Sequence, residues 1–203
     1  MYTRQDLLRC LEAMDINPRG TLLVHSSMKA IGEVEGRADT VLDAFIEYMR
    51  DGLLVFPTHT WSTINRQNPV MYAATEPACT GILPNLFLKR PGVVRSLHPT
   101  HSVAALGADA RDYVRGEQLA ETPCARGGCW GKLVDRDAQI LFLGCRTTCN
   151  TLLHGTEEWE SVPDRLETEP QLFTVVDADG ARYPVTQYRH NGSHPSRFYD
   201  KME

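Results

Sequence analysis

Ile140-Leu141-Phe142-Leu143-Gly144-Cys145-Arg146-Thr147-Thr148-Cys149-Asn150-Thr151-Leu152-Leu153-His154-Gly155-Thr156-Glu157-Glu158 decides how this chain is read. Four apolar residues closed by a glycine read as a buried strand. The polar stretch after them reads as a loop, and the residues from Asn150 onward as the start of a helix. On that helix His154 lies three residues from Glu157 and four from Glu158, so the imidazole shares a face with a carboxylate. A carboxylate beside an imidazole fixes its tautomer and raises its basicity, as a general base requires. Open α/β sheets hold ligands beyond the carboxyl ends of their strands, which is where this histidine would sit.

The same strand-then-helix grammar recurs along the chain. Thr3 can cap a first helix with Asp6 at the capping-box position and Leu7, Leu8, Leu11 and Met14 on one face. Asn17-Pro18-Arg19-Gly20 is a turn. Thr21-Leu22-Leu23-Val24-His25 reads as a buried strand, with Ser26 and Ser27 at its carboxyl end. A helix over residues 38–49 follows, with Val41, Leu42, Phe45 and Met49 facing the core. Leu53-Leu54-Val55-Phe56 is a second buried strand, ended by Pro57. Residues 58–80 read as a long loop, a length that usually carries function. A short helix is expected over 81–89, a short strand over 103–106 and a glycine-rich loop over 127–131. Two late strands, residues 172–176 and 182–187, flank the hairpin turn Asp177-Ala178-Asp179-Gly180. The alternation predicts an α/β fold with a mostly parallel sheet. The hairpin predicts that part of that sheet is antiparallel, and the polar tail from His190 is expected to be loosely held.

Composition narrows the function. The chain has 203 residues, enough for one sizeable core in a single domain. A net charge of −5 argues against nucleic-acid binding and suits a cationic substrate. The amino-terminal residues lack the apolar core of a secretion signal and no apolar run is long enough to cross a bilayer, so a cytoplasmic location without membrane attachment is the default expectation. Six cysteines in this length do not make a disulfide framework, and reduced thiols are expected.

Several other constellations could carry chemistry. Arg95-Ser96-Leu97-His98-Pro99-Thr100-His101-Ser102 crowds polar groups into a loop stiffened by proline. It reads either as a wall that orients a ligand or as a loop satisfied by its own backbone. His25-Ser26-Ser27-Met28-Lys29, after a buried strand, could hold phosphate or amide oxygens, or simply cap a helix. The glycines of 127–131 do not match a nucleotide phosphate loop, because Leu133 stands where Ser or Thr is needed. Their backbone donors, with Lys132 near, could still meet a pyrophosphate. Cys124, Cys129, Cys145 and Cys149 are spaced too loosely for a typical zinc site, and no metal is expected. Cys145 and Cys149 read as small buried residues beside the active loop.

Four stretches together resemble the aminoglycoside 3-N-acetyltransferase family, which is distinct from the GCN5-related acetyltransferases. They are residues 22–32, residues 52–58, residues 91–102, and the run from Leu143 through Asn150 and His154 to Glu158, and they occur in family order. The resemblance implies a layered α/β sandwich with coenzyme A in a cleft and acetyl-CoA as cosubstrate. It implies an amine acceptor, the aminoglycoside 3-amino group being the family substrate. It makes His154 the catalytic imidazole with Glu157 or Glu158 as partner. It sets His25, Ser26, Ser27, Lys29, His98, Thr100, His101, Ser102 and Asn150 against the coenzyme, with Ser102 or a backbone N–H as oxyanion donor. The chain departs from the family in three ways. Thr147-Thr148-Cys149 stands where antibiotic-modifying members carry His-Asp-Ser. Cys129-Trp130 stands where Ser-Pro is common. Family members also run on past a position like Glu203, so this one reads as C-terminally short. Two other functions fit the same residues: a coenzyme A or amine binder that has lost catalysis, and a metal-dependent hydrolase built on the histidine-rich loops.

Overall fold

The computed structural model describes residues 1–107 and 109–192. Its centre is a five-stranded mixed sheet in the order β4-β5-β2-β1-β6, formed by β1 (Thr21–Ser26), β2 (Leu53–Pro57), β4 (Val94–Arg95), β5 (Val103–Gly107) and β6 (Gln139–Leu143). β1 pairs in parallel with β2 and β6, while β5 runs antiparallel to β2 and β4. Four of the five strands therefore point one way, as the alternation predicts.

The strands read as unbroken apolar runs because both faces of the sheet are covered. Successive side chains point to opposite faces. Leu22, Val24, Leu54 and Phe56 pack with α1 (Arg4–Ala13), α3 (Arg37–Tyr48) and α4 (Ile82–Phe87). Leu23, Leu53, Val55 and Val103 pack with α5 (Ala110–Val114) and α6 (Cys129–Asp135) on the other face. The result is the layered sandwich. α1 begins with the expected capping box, Thr3 and Asp6 each satisfying the other's backbone N–H. Met14 falls beyond the helix end and is exposed, so the apolar face of α1 stops at Leu11.

Three readings need correction. The late hairpin, β7 (Gln171–Val176) and β8 (Arg182–Gln187), does not join the central sheet. It pairs with β3 (Val70–Tyr72), a short strand inside the stretch read as loop, to form a second sheet around Met71, Phe173, Val175 and Val185. The antiparallel part of the central sheet comes from β5 instead. Residues 129–131 belong to α6 rather than to a loop. A Cβ on Gly131 would fall 1.7 Å from the Arg126 carbonyl oxygen, so this glycine lets two backbone segments meet and does not cradle a phosphate. The Cys129 N–H is taken by the Glu117 carboxylate, and Lys132 Nζ donates to the carbonyls of Tyr113 and Arg115. Of the tail expected to be loosely held, residues 193–203 lie outside the described residues.

α2 (Met28–Ile31) follows β1 directly, and α7 (Thr151–Trp159) follows β6 after the 3-10 turn Thr147–Cys149. Gly144 makes the turn out of β6 at φ +70°, and a Cβ there would meet Ala30 Cβ at 2.5 Å. No helix among the described residues is long and apolar enough to cross a membrane.

Candidate active site

Because β2, β1 and β6 are parallel, their carboxyl ends open at one edge of the sheet. β5 runs the other way with Val103 opposite Pro57, so the residues before β5 arrive at the same edge. The β2–β5 ladder continues past the strands: Thr58 N–H donates to Ser102 O at 2.8 Å and Thr60 N–H to Thr100 O at 2.9 Å. This extension sets His59 against His101, ring centroids 4.7 Å apart.

A cavity of about 480 Å³ opens at this edge, and its wall includes His25, Ser26, His59, Thr100, His101, Thr151, His154, Arg165 and His190. Among the described residues all six histidines, His25, His59, His98, His101, His154 and His190, lie at or just behind this edge. His101 touches His98, His59 and His190; His190 touches His154; and the Trp130 indole lies beside both His59 and His25. Burial pushes His25 and His98 down to about 4 and depresses His59, His101 and His190 as well. These five rings are therefore neutral at neutral pH. His25 Nε2 and His59 Nδ1 are buried and find no hydrogen-bond partner among the described residues. Such an atom costs roughly 1–3 kcal/mol unless something else pairs with it. Both rings line the cavity, so these nitrogens suit the polar groups of a bound molecule.

α7 carries the pair read from the sequence. Asn150 caps it, its side-chain oxygen accepting from Leu152 N–H. His154 Nδ1 lies 3.2 Å from Glu157 Oε2, and the same oxygen accepts from Arg165 Nη1 at 3.2 Å. A carboxylate held by a guanidinium only accepts, so Nδ1 carries the hydrogen of this contact. Glu158 turns the other way. It accepts from Cys124 N–H at 3.0 Å and contacts His190 Nε2 at 2.5 Å. Burial raises Glu158 to about 7 and lowers His190, working against both charged forms. Of the two carboxylates that share a helix face with His154, Glu157 is thus its partner and Glu158 is bound to His190.

The other expected contacts divide sharply. His25, Ser26, Thr100 and His101 line the cavity. His98 does not: it is fully buried, with Nδ1 accepting from the N–H groups of Thr100 and His101, and it shapes the loop. Ser102 is also fully buried. Its hydroxyl donates to Thr58 O and accepts from Arg95 Nε, so it has no hydrogen left for an oxyanion. Ser27 starts α2 with its N–H on Leu143 O, Lys29 is exposed on α2, and the Asn150 side chain is engaged in its cap; these three lie outside the cavity wall. Cys145 and Cys149 are not buried as expected, being half-buried and exposed. The four cysteines do not gather into one ligand set. Among the described residues the group able to share an ion is Cys124, Glu158 and His190, with ligand atoms within 4.8 Å.

Sequence reading missed His59, Trp130, Arg165 and His190. The position of His59, two residues past the end of β2, obeys the same strand-end rule that singled out His25. The others come from elements whose periodicity carries no such signal.

The family model described as aminoglycoside 3-N-acetyltransferase matches residues 23–202. Aminoglycoside N(3)-acetyltransferase VII of Streptomyces paromomycinus is 28% identical over 197 residues, covering 87% of this chain and 67% of its own length. The chain therefore spans about two thirds of that curated relative. The crystal structure of aminoglycoside acetyltransferase AAC(3)-Xa matches with a TM-score of 0.83 at 28% identity, over 96% of this chain and 74% of that one. The binary complex of AAC-IIIb with CoASH also gives 0.83, at 19% identity, over 99% and 82% of the two chains. At that identity the likeness is one of fold.

Proposed function

The chain belongs to the aminoglycoside 3-N-acetyltransferase family, and from that premise we propose that it moves an acetyl group from acetyl-CoA to a primary amine, with His154 as general base. The observation that carries this reading is the His154–Glu157 pair, clamped by Arg165, beside a cavity at the strand ends. The family and its relatives make the 3-amino group of an aminoglycoside the acceptor to test first, and the acidic net charge of −5 favours approach of such a polycation.

The reaction forms a C–N bond and breaks a C–S bond. The amine nitrogen attacks the thioester carbonyl while His154 Nε2 takes its proton, and the imidazolium gains from the Glu157 carboxylate. Collapse of the tetrahedral adduct expels the coenzyme thiolate, to which the proton passes. The unpaired nitrogens of His25 and His59 support binding of the amide-rich pantetheine arm. Ser102 is withdrawn as oxyanion donor because its hydroxyl is already committed.

The test is thiol release from acetyl-CoA with aminoglycosides and simple amines in parallel. His154→Ala should retain coenzyme A binding and lose roughly 10²–10⁴-fold in turnover, the usual contribution of a positioned base. Unchanged turnover would refute the role of His154. Coenzyme binding without thiol release would favour the binding protein, and turnover abolished by a chelator would favour the metal-dependent hydrolase.

A further inference from the structure

Three side chains of the kinds that bind metals converge from separate segments. Cys124 lies in the loop before α6, Glu158 in the last turn of α7 and His190 just after β8. Their ligand atoms, a sulfur, a carboxylate oxygen and a ring nitrogen, all lie within 4.8 Å of one another. Cys124 is fully buried, and the side chains of Glu158 and His190 are 3% and 11% exposed. Backbone contacts hold the segments in place. Cys124 N–H donates to Glu158 at 3.0 Å, and Cys124 O accepts from Trp159 Nε1 at 2.8 Å. His190 pairs with Leu166 in an isolated antiparallel bridge, flanked by Glu167 N–H on Arg189 O and Asn191 N–H on Arg165 O. The acetyl transfer proposed above uses none of the three side chains.

We propose that Cys124, Glu158 and His190 form a structural zinc site that staples the loop before α6, the end of α7 and the segment after β8 to one another. The donor set names the ion. A thiolate and an imidazole suit zinc, whereas magnesium and calcium call for oxygen ligands. The charges also balance. The Cys124 proton passes to solvent on binding, and one thiolate with one carboxylate cancels the two charges of the ion, in a place where an unbalanced charge would be costly. Zinc bonds of about 2.0–2.3 Å set tetrahedral ligand atoms roughly 3.3–3.6 Å apart. His190 Nε2 and Glu158 Oε1 stand 2.5 Å apart. They open by about 1 Å on binding, and the Cys124 sulfur draws in by at most about 1.5 Å. Water takes the fourth position.

Placement makes the role structural. Cys124 and Glu158 are absent from the cavity wall, and His190 alone of the three reaches it. The His190 ring packs against the rings of His101 at 4.9 Å and His154 at 5.0 Å. The ion thus fixes one wall of the site through His190. α7 then serves two ends, with Glu157 turned to His154 and Glu158 to the ion.

The test titrates the chelator-treated chain with cobalt(II), which reports a bound thiolate by its near-ultraviolet charge-transfer band, and then with zinc. One cobalt per chain should bind with that band and with the intense visible absorption of a tetrahedral ion, and one zinc should displace it. Zinc at about 100 times its dissociation constant should raise the thermal midpoint by about 5–10 °C. Cys124→Ser should lose the thiolate band, whereas Cys10→Ser, on α1, should keep it. Glu158→Gln and His190→Ala carry the test if Cys124→Ser does not fold. Each should weaken binding roughly 10²-fold, since even outer-shell partners of a metal are worth about 10–100-fold. A thiolate band that is missing from the unsubstituted chain or survives Cys124→Ser would overturn the site. So would affinity untouched by the other two variants, or a midpoint indifferent to zinc. Acetyl transfer that stops on chelation well below the midpoint would overturn the structural role. The spectrum reads the site without turnover. A chain that binds zinc yet never transfers acetyl would overturn the proposed activity and uphold the site.

Discussion

Acidification should destabilise this protein through its buried imidazoles, and His25→Phe should remove a measurable part of that effect. An unfolded histidine takes a proton as the pH falls through 6.5, whereas folded His25 and His98 resist until about 4. Between those values the unfolded state binds more protons, so stability present above pH 6.5 is lost as the pH falls. From about pH 7 to about pH 5, linkage gives a loss of about 2 kcal/mol for each of these two rings. Glu158 acts in the opposite sense. Its folded value of about 7 against 4.5 means it stabilises at low pH and loses that contribution as the pH rises through 7. Over the same interval it offsets about 2 kcal/mol of the loss. His59, His101 and His190, all depressed by burial, add to the loss. The net sign is therefore destabilising in acid. His25 is the ring to remove because it stacks on Phe142 at 5.4 Å with planes 4° apart, an environment a phenyl ring can share, and because no hydrogen bond to its Nε2 is sacrificed. Urea unfolding of both proteins across the interval is the assay. The variant's acid-induced loss should be smaller by about 2 kcal/mol, whatever its stability at neutral pH. Equal pH dependence in the two proteins would refute the assignment of a buried, neutral His25.

Glu157→Gln keeps the shape of the acid but removes its charge. Turnover should fall roughly 10-fold or more with coenzyme A affinity little changed, as read by thiol release and equilibrium binding. Arg95→Met strips a half-buried guanidinium from Ser102 Oγ and from the carbonyls of Thr58, Ala73 and Glu76. Chemical unfolding should show a loss of about 3 kcal/mol. Gly131→Ala sets a methyl group against the Arg126 carbonyl, whereas Gly127 has nothing within 4 Å of such a group. Thermal unfolding should find the first destabilised by about 3 kcal/mol and Gly127→Ala near neutral; equal effects would contradict the close approach at Gly131.

The parts of the fold legible in the sequence are those where burial imposes a pattern. β1 and β2 stand out because helices cover both faces of the sheet, and α1 and α3 because each buries one stripe. The capping box at Thr3 and the Asp177 turn, whose carboxylate accepts from the N–H groups of Asp179 and Ala181, were equally readable. β3 was not, because three residues are too few for a period and its partner lies a hundred residues away. The glycines of 127–131 misled because a glycine required for close backbone approach looks the same in sequence as one that cradles a phosphate. Spacing left Glu157 and Glu158 equivalent. They separate only because Arg165 reaches Glu157 while the Cys124 N–H and His190 hold Glu158, and those contacts come from loops and from the residues after β8.

The direction of β5 explains why the run 96–102 belongs to the site at all. In an all-parallel sheet, residues that precede a strand sit at the edge opposite the ligand. Here β5 is antiparallel to β2, so its amino end lies beside the carboxyl ends of β2, β1 and β6. The ladder that continues to Thr58 and Thr60 then sorts the run. Ser102 and His98 spend their polar atoms on backbone groups and on Arg95, and they hold the loop rigid. Thr100 and His101, nearer the loop's tip, line the cavity. The Thr100 hydroxyl is itself engaged by Gln187 Oε1 and His101 Nδ1, so it is position at the cavity wall, and not hydrogen-bond accounting alone, that separates the contact surface from the support at this edge.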